Sequence, residues 1–249
     1  MNTALITGAN KGIGFALAKD LGTRGYHILV GARDAKRGDD AVKELRCLGI
    51  TADLVLIELT DLANVRQAAD AVQRDFPEVN LLVNNAATPG YPMRAPAWGF
   101  DAEEIERIWR TNFLGHFELI KQLMPTLAAN HGKILNVSIP IEPSAVFNCF
   151  AYQTSKAPLN VMTKSLGLAF ADQGVPIEIL AVTPGGTSTD LNGRIAGPGV
   201  KTPEQAATAI VKFLFDGQDH NGQVINFDGK VYDYQNTAVA KESNWTRPA

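Results

Sequence analysis

The feature that most constrains this chain is a glycine-rich turn within its first fourteen residues. Leu5 and Ile6 are apolar and favour a strand, and apolar residues return at helical spacing across 15–21. Between these segments lie three glycines, Gly8, Gly12 and Gly14. A turn that joins a strand to a helix in this way directs backbone N–H groups and the positive end of the helix dipole toward an anion. The glycine spacing differs from that of the best-known dinucleotide motif, and a glycine turn that binds nothing is the alternative.

Strand-like and helix-like segments alternate along the rest of the chain. Further strands are predicted at 26–32, 54–59, 81–83, 133–137, 177–182 and 223–227, and helices at 35–48, 62–76, 101–124, 151–170 and 203–215. This alternation predicts an α/β fold in a single domain over 1–249, a doubly wound parallel sheet of about seven strands with helices on both faces. Such sheets bind ligands at the carboxyl ends of their strands. Segment 187–203 lacks periodicity and is predicted to be a flexible substrate loop, and 234–249 a polar tail.

Charge and hydropathy exclude several classes of partner. The formal net charge is -3 with 20% charged residues, so no basic field attracts nucleic acid or an anionic membrane. No apolar run approaches the ~18 residues of a membrane span, and the first residues do not resemble a secretion signal. We therefore expect a cytoplasmic protein that acts on a small molecule.

The cysteines and histidines suggest neither a disulfide scaffold nor a metal site. Cys47 and Cys149 form no C-x-x-C pair, and the four histidines are distant from one another in sequence. The histidines are His27, His116, His131 and His220. We expect them to be scattered over strands and surface.

The end of the second predicted strand bears on the choice of nucleotide. An acidic residue there would bind a ribose 2′-hydroxyl, whereas an arginine accommodates a 2′-phosphate. Arg33 follows the last strand residue, Ala32, and Lys11 in the glycine turn would add a second positive charge. Asp34 could pass for the acidic partner but lies two residues beyond the strand end. The sequence thus favours a 2′-phosphate, the alternative being that Arg33 and Lys11 are plain solvated charges.

Tyr152 and Lys156 are the strongest candidates for catalysis. Four residues apart on a predicted helix, they lie on one face. An ammonium beside a phenol favours the phenolate, so we expect a lowered Tyr152 pKa and a competent proton donor to a carbonyl oxygen. By itself, a Tyr-x3-Lys spacing often occurs by chance. Asn112, an amide in the middle of a predicted helix, is either a structural clamp or a site residue, and the proline- and glycine-rich segment 88–99 is either packing or a wall of a substrate pocket.

Taken together, these motifs resemble the short-chain dehydrogenase/reductase family, and within it the NADP(H)-dependent carbonyl reductases. The resemblance covers essentially the whole chain. It rests on Thr7-Gly8-x3-Gly12-x-Gly14, Asn84-Asn85-Ala86, Asn112, Ser138, Tyr152-x3-Lys156 and Pro184-Gly185, in that order. It implies a Rossmann fold, a homodimer or homotetramer, and NADPH-dependent, reversible reduction of a ketone or aldehyde to an alcohol. The alternatives are an NADH-dependent alcohol dehydrogenase of the same fold and a catalytically weak NADP(H)-binding sensor.

The resemblance also implies roles for individual residues. Tyr152 would be the acid/base, Lys156 would lower its pKa and bind the nicotinamide ribose, Ser138 would hold the substrate oxygen and Asn112 a water relay. Residues implied to bind the cofactor are Gly8, Asn10, Lys11, Gly12, Ile13, Gly14, Arg33, Glu58, Leu59, Asn85, Ala86, Tyr152, Lys156, Pro184, Gly185, Thr187 and Thr189.

The chain departs from the family pattern at three positions. Ile139 stands where the family has its catalytic serine, so either Ser138 takes that role through a longer loop or the serine is missing. Glu58 replaces an aspartate, and Ala87 replaces the glycine that usually follows Asn-Asn-Ala. Apolar residues near the predicted site suggest a substrate with an apolar group; they are Ile139, Pro140, Phe147 and Phe150.

Overall fold

Seven parallel strands form one sheet in the computed structural model, which describes residues 2–90, 95–144 and 147–232. The strands are β1 (Thr3–Thr7), β2 (His27–Ala32), β3 (Ala52–Leu56), β4 (Val79–Asn84), β5 (Lys133–Val137), β6 (Glu178–Thr183) and β7 (Val224–Asn226). Their order is β3-β2-β1-β4-β5-β6-β7, with every neighbouring pair parallel. The order reverses at β1 and β4, which makes the edge between them the expected place for a ligand.

Helices cover both faces of this sheet, because its central strands are apolar on both sides. The helices are α1 (Gly12–Thr23), α2 (Ala35–Cys47), α3 (Leu62–Asp75), α4 (Ala102–Trp109), α5 (Gly115–Ala129), α6 (Phe150–Gln173) and α7 (Pro203–Phe215). A π-helical segment, Arg110–Leu114, joins α4 to α5. Several helices begin at capping side chains: Asp34, Asp61, Asp101 and Thr202 accept hydrogen bonds from the first-turn amides of α2, α3, α4 and α7.

Alternate residues of strands β1 to β6 supply two separate cores. Along β1, Ala4 and Ile6 join the core that contains α1, α2 and α7, and Leu5 joins the core that contains α3, α5 and α6. The predicted single-domain, doubly wound sheet is thereby confirmed. Within the described residues, no helix is long and apolar enough to cross a membrane.

Two predicted elements differ most from the structure, and several others differ by a few residues at their ends. The helix expected at 101–124 is two α-helices separated by a π-helical turn and continues to Ala129. The third strand ends at Leu56, because the Glu58 amide already bonds to Asn64 Oδ1 and Asp61 starts α3 three residues later. The predicted tail, 234–249, and Tyr91 and Met93 of the predicted pocket wall lie outside the described residues.

Candidate functional site

The glycine turn after β1 is braced by β2 and β4. The Gly8 amide donates to the Gly31 carbonyl oxygen at 2.8 Å, and Nδ2 of Asn85 donates to the Thr7 carbonyl oxygen at 2.9 Å. A Cβ added to Gly14 would collide with the Gly8 carbonyl oxygen. The turn is therefore packed tightly against itself on its inner side.

The outer side of the same turn leaves room for an anion. Gly12 has φ +58°, and a Cβ placed there would meet nothing nearer than the Thr189 side chain, at 3.7 Å. The first turn of α1 contains no acidic residue, and the residue preceding it, Lys11, makes no side-chain capping bond. Backbone amides at a helix start, with glycine in place of larger side chains, fit the phosphates of a nucleotide.

The two cations expected to bind a 2′-phosphate have different surroundings in the structure. Lys11 Nζ lies 3.1 Å from Oδ2 of Asp190, on the segment after β6. Arg33 is exposed directly after β2 and makes no ion pair with any residue in the described part of the chain. Lys11 is thus paired with a carboxylate of the segment after β6, whereas Arg33 is exposed without an ion-pair partner among the described residues.

The other residues implied to bind the cofactor form hydrogen bonds within the protein or are at least partly buried. The amides of Asn85 and Ala86 donate to Thr7 Oγ1 at 2.9 and 3.1 Å. Oε1 of Glu58 accepts from the Thr60 amide at 3.1 Å, and Leu59 is buried. Asn10 is half-buried, and Ile13 packs against the core on the α1 side of the sheet.

Tyr152 and Lys156 lie on one buried face of α6, as their spacing predicts. Lys156 is 1% exposed, and its Nζ donates to the Val137 carbonyl oxygen at 2.8 Å. Burial lowers the pKa of Lys156 to about 7. The expected lowering of the Tyr152 pKa is wrong: burial raises it, and the Lys156 ammonium lies 5.9 Å from the ring centroid.

Ser138 directly follows β5, with its side chain turned toward α6. Its Oγ donates to Oδ1 of Asn160 at 2.5 Å, and Nδ2 of Asn160 donates to the Ile139 carbonyl oxygen at 3.2 Å. Because a carbonyl oxygen only accepts, the Asn160 amide has one orientation, and Ser138 must be the donor. Asn160 was not predicted, although it continues the i, i+4 series of Tyr152 and Lys156 on α6.

Asn112 is a clamp between three parts of the site. It is fully buried in the π-helical segment. Its Oδ1 accepts from the Thr88 amide, and its Nδ2 donates to the Thr88 carbonyl oxygen and to Ser155 Oγ, each at 2.8 Å. The side chain therefore holds the segment after β4 against the residue that precedes Lys156.

His116 also belongs to this region, contrary to the expectation that the histidines lie on strands and surface. It is fully buried, with Nε2 3.3 Å from Thr7 Oγ1 and Nδ1 3.3 Å from the Asn112 carbonyl oxygen. Burial and the neighbouring Lys156 charge lower the pKa of His116 to about 3. Its sequence neighbours gave no signal, because its partner Thr7 is 109 residues away.

The segment after β6 closes on itself near the glycine turn. Thr187 pairs with Lys201 in a β-bridge, and Thr187 Oγ1 donates to the Gly185 carbonyl oxygen at 3.2 Å. Gly185, which follows Pro184, has φ +74°, and a Cβ there would lie 2.9 Å from Lys201 Nζ. Thr189 begins a short 3-10 turn, Asp190–Asn192. The structure places the Thr189 side chain beside Gly12 of the glycine turn, and its role at the nicotinamide stays a prediction.

The apolar residues expected near the substrate lie between β5 and the first residue of α6. Phe150 begins α6, and its ring lies 6.3 Å from that of Phe100. Ile139, Pro140 and Phe147 are half-buried after β5. These side chains lie on the segments that flank Tyr152 in the chain.

Comparison with known proteins shows the family and agrees with the fold. Residues 2–197 match the family model for short chain dehydrogenases. The 3-oxoacyl-(acyl-carrier-protein) reductase FabG of Escherichia coli is 30% identical over 76% of this chain and 74% of its own. Carbonyl reductase (NADPH) 1 of Rattus norvegicus is 32% identical over 59% of this chain and 52% of its own. The NADPH-bound carbonyl reductase from chicken fatty liver superposes with a TM-score of 0.81 at 24% identity, over 93% and 98% of the two chains. The chain belongs to the short chain dehydrogenase family of oxidoreductases.

Proposed function

We propose that this protein is an NADP(H)-dependent carbonyl reductase that converts a ketone or aldehyde to an alcohol, and that the reaction is reversible. The observation that carries the proposal is the placement of Tyr152 and Lys156 on one buried face of α6, with the Lys156 ammonium held by the Val137 carbonyl oxygen. Relatives that are named as ketoacyl and NADPH carbonyl reductases support the class of reaction.

The nucleotide would bind along the carboxyl ends of β1 and β4. Gly12 and the amides that begin α1 would hold its phosphates, and Lys11 and Arg33 supply the positive charge that a 2′-phosphate needs. Asn85, Ala86 and the glycine turn are fixed to one another through Thr7, so this cradle is preformed. The bound nucleotide supplies the hydride chemistry.

Tyr152 would donate the proton to the carbonyl oxygen during reduction and take it back during oxidation. The phenol carries the proton to be donated, but burial raises the pKa of Tyr152 and so makes it a weaker acid, which the site must offset. The buried ammonium of Lys156 stabilises the negative charge that develops on the phenol oxygen as the proton leaves.

Ser138 would hold the substrate oxygen in place of the residue at position 139. Its hydroxyl donates to Oδ1 of Asn160, so it must break that hydrogen bond before it can donate to a substrate carbonyl oxygen. Removing one such donor from an active site typically costs about 10²–10³ in kcat. The apolar side chains on the flanking segments favour a substrate with an apolar group.

The proposal is tested by initial rates of cofactor oxidation with a panel of aryl and alkyl ketones, using NADPH and NADH in parallel. We expect NADPH turnover that is lost in Tyr152→Phe and reduced about 100-fold in Ser138→Ala. Turnover with NADH alone would replace the proposal by the NADH-dependent alcohol dehydrogenase. Binding of NADPH without turnover of any carbonyl would replace it by the sensor.

We also propose a homodimer or homotetramer that pairs through α5 and α6. Large apolar side chains are exposed on these helices, Val161 and Leu168 on α6 and Phe117 on α5. Light scattering coupled to size-exclusion chromatography, compared between wild type and Leu168→Glu, tests this surface: the variant should shift toward monomer. A cytoplasmic location stays a prediction.

A further inference from the structure

The Asp190 carboxylate forms ion pairs with two basic side chains, one from the glycine turn and one from its own loop. Its Oδ2 lies 3.1 Å from Lys11 Nζ in the glycine turn, and its Oδ1 lies 2.8 Å from Nε of Arg194. Lys11 and Asp190 are 179 residues apart in sequence and are both about half exposed. The Asp190 carboxylate is therefore already paired with the Lys11 ammonium, which the sequence assigns to a 2′-phosphate.

The position of Asp190 is set by its own loop rather than by Lys11. The 3-10 turn that contains it is capped reciprocally by Thr189 and Asn192, and Asn192 Nδ2 donates to the Thr187 carbonyl oxygen at 2.8 Å. Arg194 holds the other carboxylate oxygen. The Lys11 side chain, in contrast, is held in this direction only by Asp190 among the residues that the structure describes. The lysine is therefore the mobile partner of the pair.

We propose that Asp190 sets the selectivity of this protein for 2′-phosphorylated nucleotides by competing with the 2′-phosphate for Lys11. The inference rests on the proposed NADP(H) function and adds the residue that tunes it. A 2′-phosphate takes Lys11 away from Asp190, which keeps Arg194 as its partner. A nucleotide with a free 2′-hydroxyl brings no anion to that point and leaves the Lys11–Asp190 pair intact.

The size of the effect follows from the exposure of the pair. Solvent-exposed ion pairs contribute little, so breaking this one weakens binding of the phosphate by up to about fivefold. Removal of the carboxylate should therefore strengthen binding of a 2′-phosphorylated ligand and leave its non-phosphorylated counterpart nearly unchanged. Because the pair is exposed, the effect should shrink at high salt.

The test measures equilibrium binding of adenosine 2′,5′-bisphosphate and of 5′-AMP by isothermal titration calorimetry at low salt. We expect the ratio of the two dissociation constants to shift by about threefold to fivefold toward the bisphosphate in Asp190→Asn. In the Lys11→Gln background, the same Asp190 substitution should have no effect on the ratio. Asp20→Asn is the matched control, since it removes one surface charge that is paired with Arg24 and not with Lys11.

The outcomes separate this inference from the proposed function. A wild-type preference for the bisphosphate that Asp190→Asn leaves unchanged overturns the role of Asp190 alone. An increase that persists in the Lys11→Gln background, or that Asp20→Asn reproduces, assigns the effect to net charge and overturns it as well. A wild-type protein that binds both ligands equally contradicts the NADP(H) assignment itself.

Discussion

Nε2 of His116 lies 3.3 Å from Thr7 Oγ1, so a fully buried imidazole links the first strand to the Asn112 carbonyl. Nδ1 faces that carbonyl oxygen, which can only accept, so we assign the proton to Nδ1 and leave Nε2 as an acceptor. The Thr7 hydroxyl then has two acceptors for its one proton, Nε2 and the Val83 carbonyl oxygen, each at 3.3 Å. The ring is then neutral. A second proton would place a buried imidazolium near Lys156, in agreement with the lowering of the His116 pKa to about 3.

This histidine should make the protein sensitive to acid. The unfolded chain binds a proton to His116 below about pH 6.5, whereas the folded chain does not until about pH 3, so stability falls as the pH drops between these values. Between pH 6 and pH 4, we expect the wild type to lose about 2 kcal/mol more unfolding free energy than His116→Asn. Urea denaturation at several pH values measures the difference, and parallel curves for the two proteins would contradict the assignment.

Lys156 should destabilise the fold with a pH dependence of the same sign as that of His116, but at higher pH. Its pKa is about 7 in the folded chain and 10.5 for an ordinary solvated lysine, so the cost of burying it is greatest below pH 7 and falls as the pH rises toward 10.5. Lys156→Met should therefore raise the unfolding free energy at pH 6 by about 1–4 kcal/mol. The gain is reduced by the cost of leaving the Val137 carbonyl oxygen without the hydrogen bond from Nζ. Denaturation at pH 6 and pH 9 checks this. The exposed Lys121→Met is the control, and an equal gain at both pH values would refute the explanation.

Variants of Ser138 and Asn160 can separate the contribution of Ser138 to stability from its contribution to catalysis. Ser138→Ala removes the buried hydrogen bond to Oδ1 of Asn160, which should cost about 0.5–1.5 kcal/mol of unfolding free energy. Ser138→Ala/Asn160→Leu removes both polar groups and should recover part of that stability but none of the activity. Thermal unfolding and NADPH turnover of the same preparations provide the two readouts. Recovery of activity in the double variant would show that Ser138 contributes only through folding.

Local patterns predicted the parts of the fold that depend on neighbouring residues in sequence. β5 at Lys133–Val137 and α7 at Pro203–Phe215 have the predicted bounds, because an apolar strand and a Thr-Pro helix start are local signals. The π-helical segment was not predictable in this way. Its sequence reads as continuous helix, and Asn112 makes its side-chain bonds with Thr88 and Ser155, which are remote in the chain.

The same distinction between local signals and contacts of remote residues applies to the candidate site. The i, i+4 spacing of Tyr152 and Lys156 gave their common face, but the raised pKa of Tyr152 depends on burial that only the packed structure contains. The Lys11–Asp190 ion pair depends likewise on how the segment after β6 folds over the glycine turn. Pairwise spacing therefore indicated which residues share an element, and tertiary packing determined what each charge contacts.

The glycine turn offers a test of the nucleotide cradle through two alanine substitutions with different physical costs. In Gly14→Ala, the new Cβ would collide with the Gly8 carbonyl oxygen and with Nδ2 of Asn85, so the turn must open. In Gly12→Ala, the space is free, and the cost is the left-handed backbone at φ +58°, on the order of 1 kcal/mol. Gly186→Ala is the control, since it has neither a close neighbour nor a positive φ.

We expect the unfolding temperature and the affinity for adenosine 2′,5′-bisphosphate to fall most in Gly14→Ala. Gly12→Ala should lower the unfolding temperature only slightly but still weaken binding, because a Cβ on the outer side of the turn occupies space that we assign to a phosphate. Differential scanning fluorimetry and titration calorimetry on the three variants measure both quantities. If Gly12→Ala binds the bisphosphate as tightly as Gly186→Ala, the phosphates do not lie against this turn, and the cradle must be sought elsewhere along the carboxyl ends of the strands.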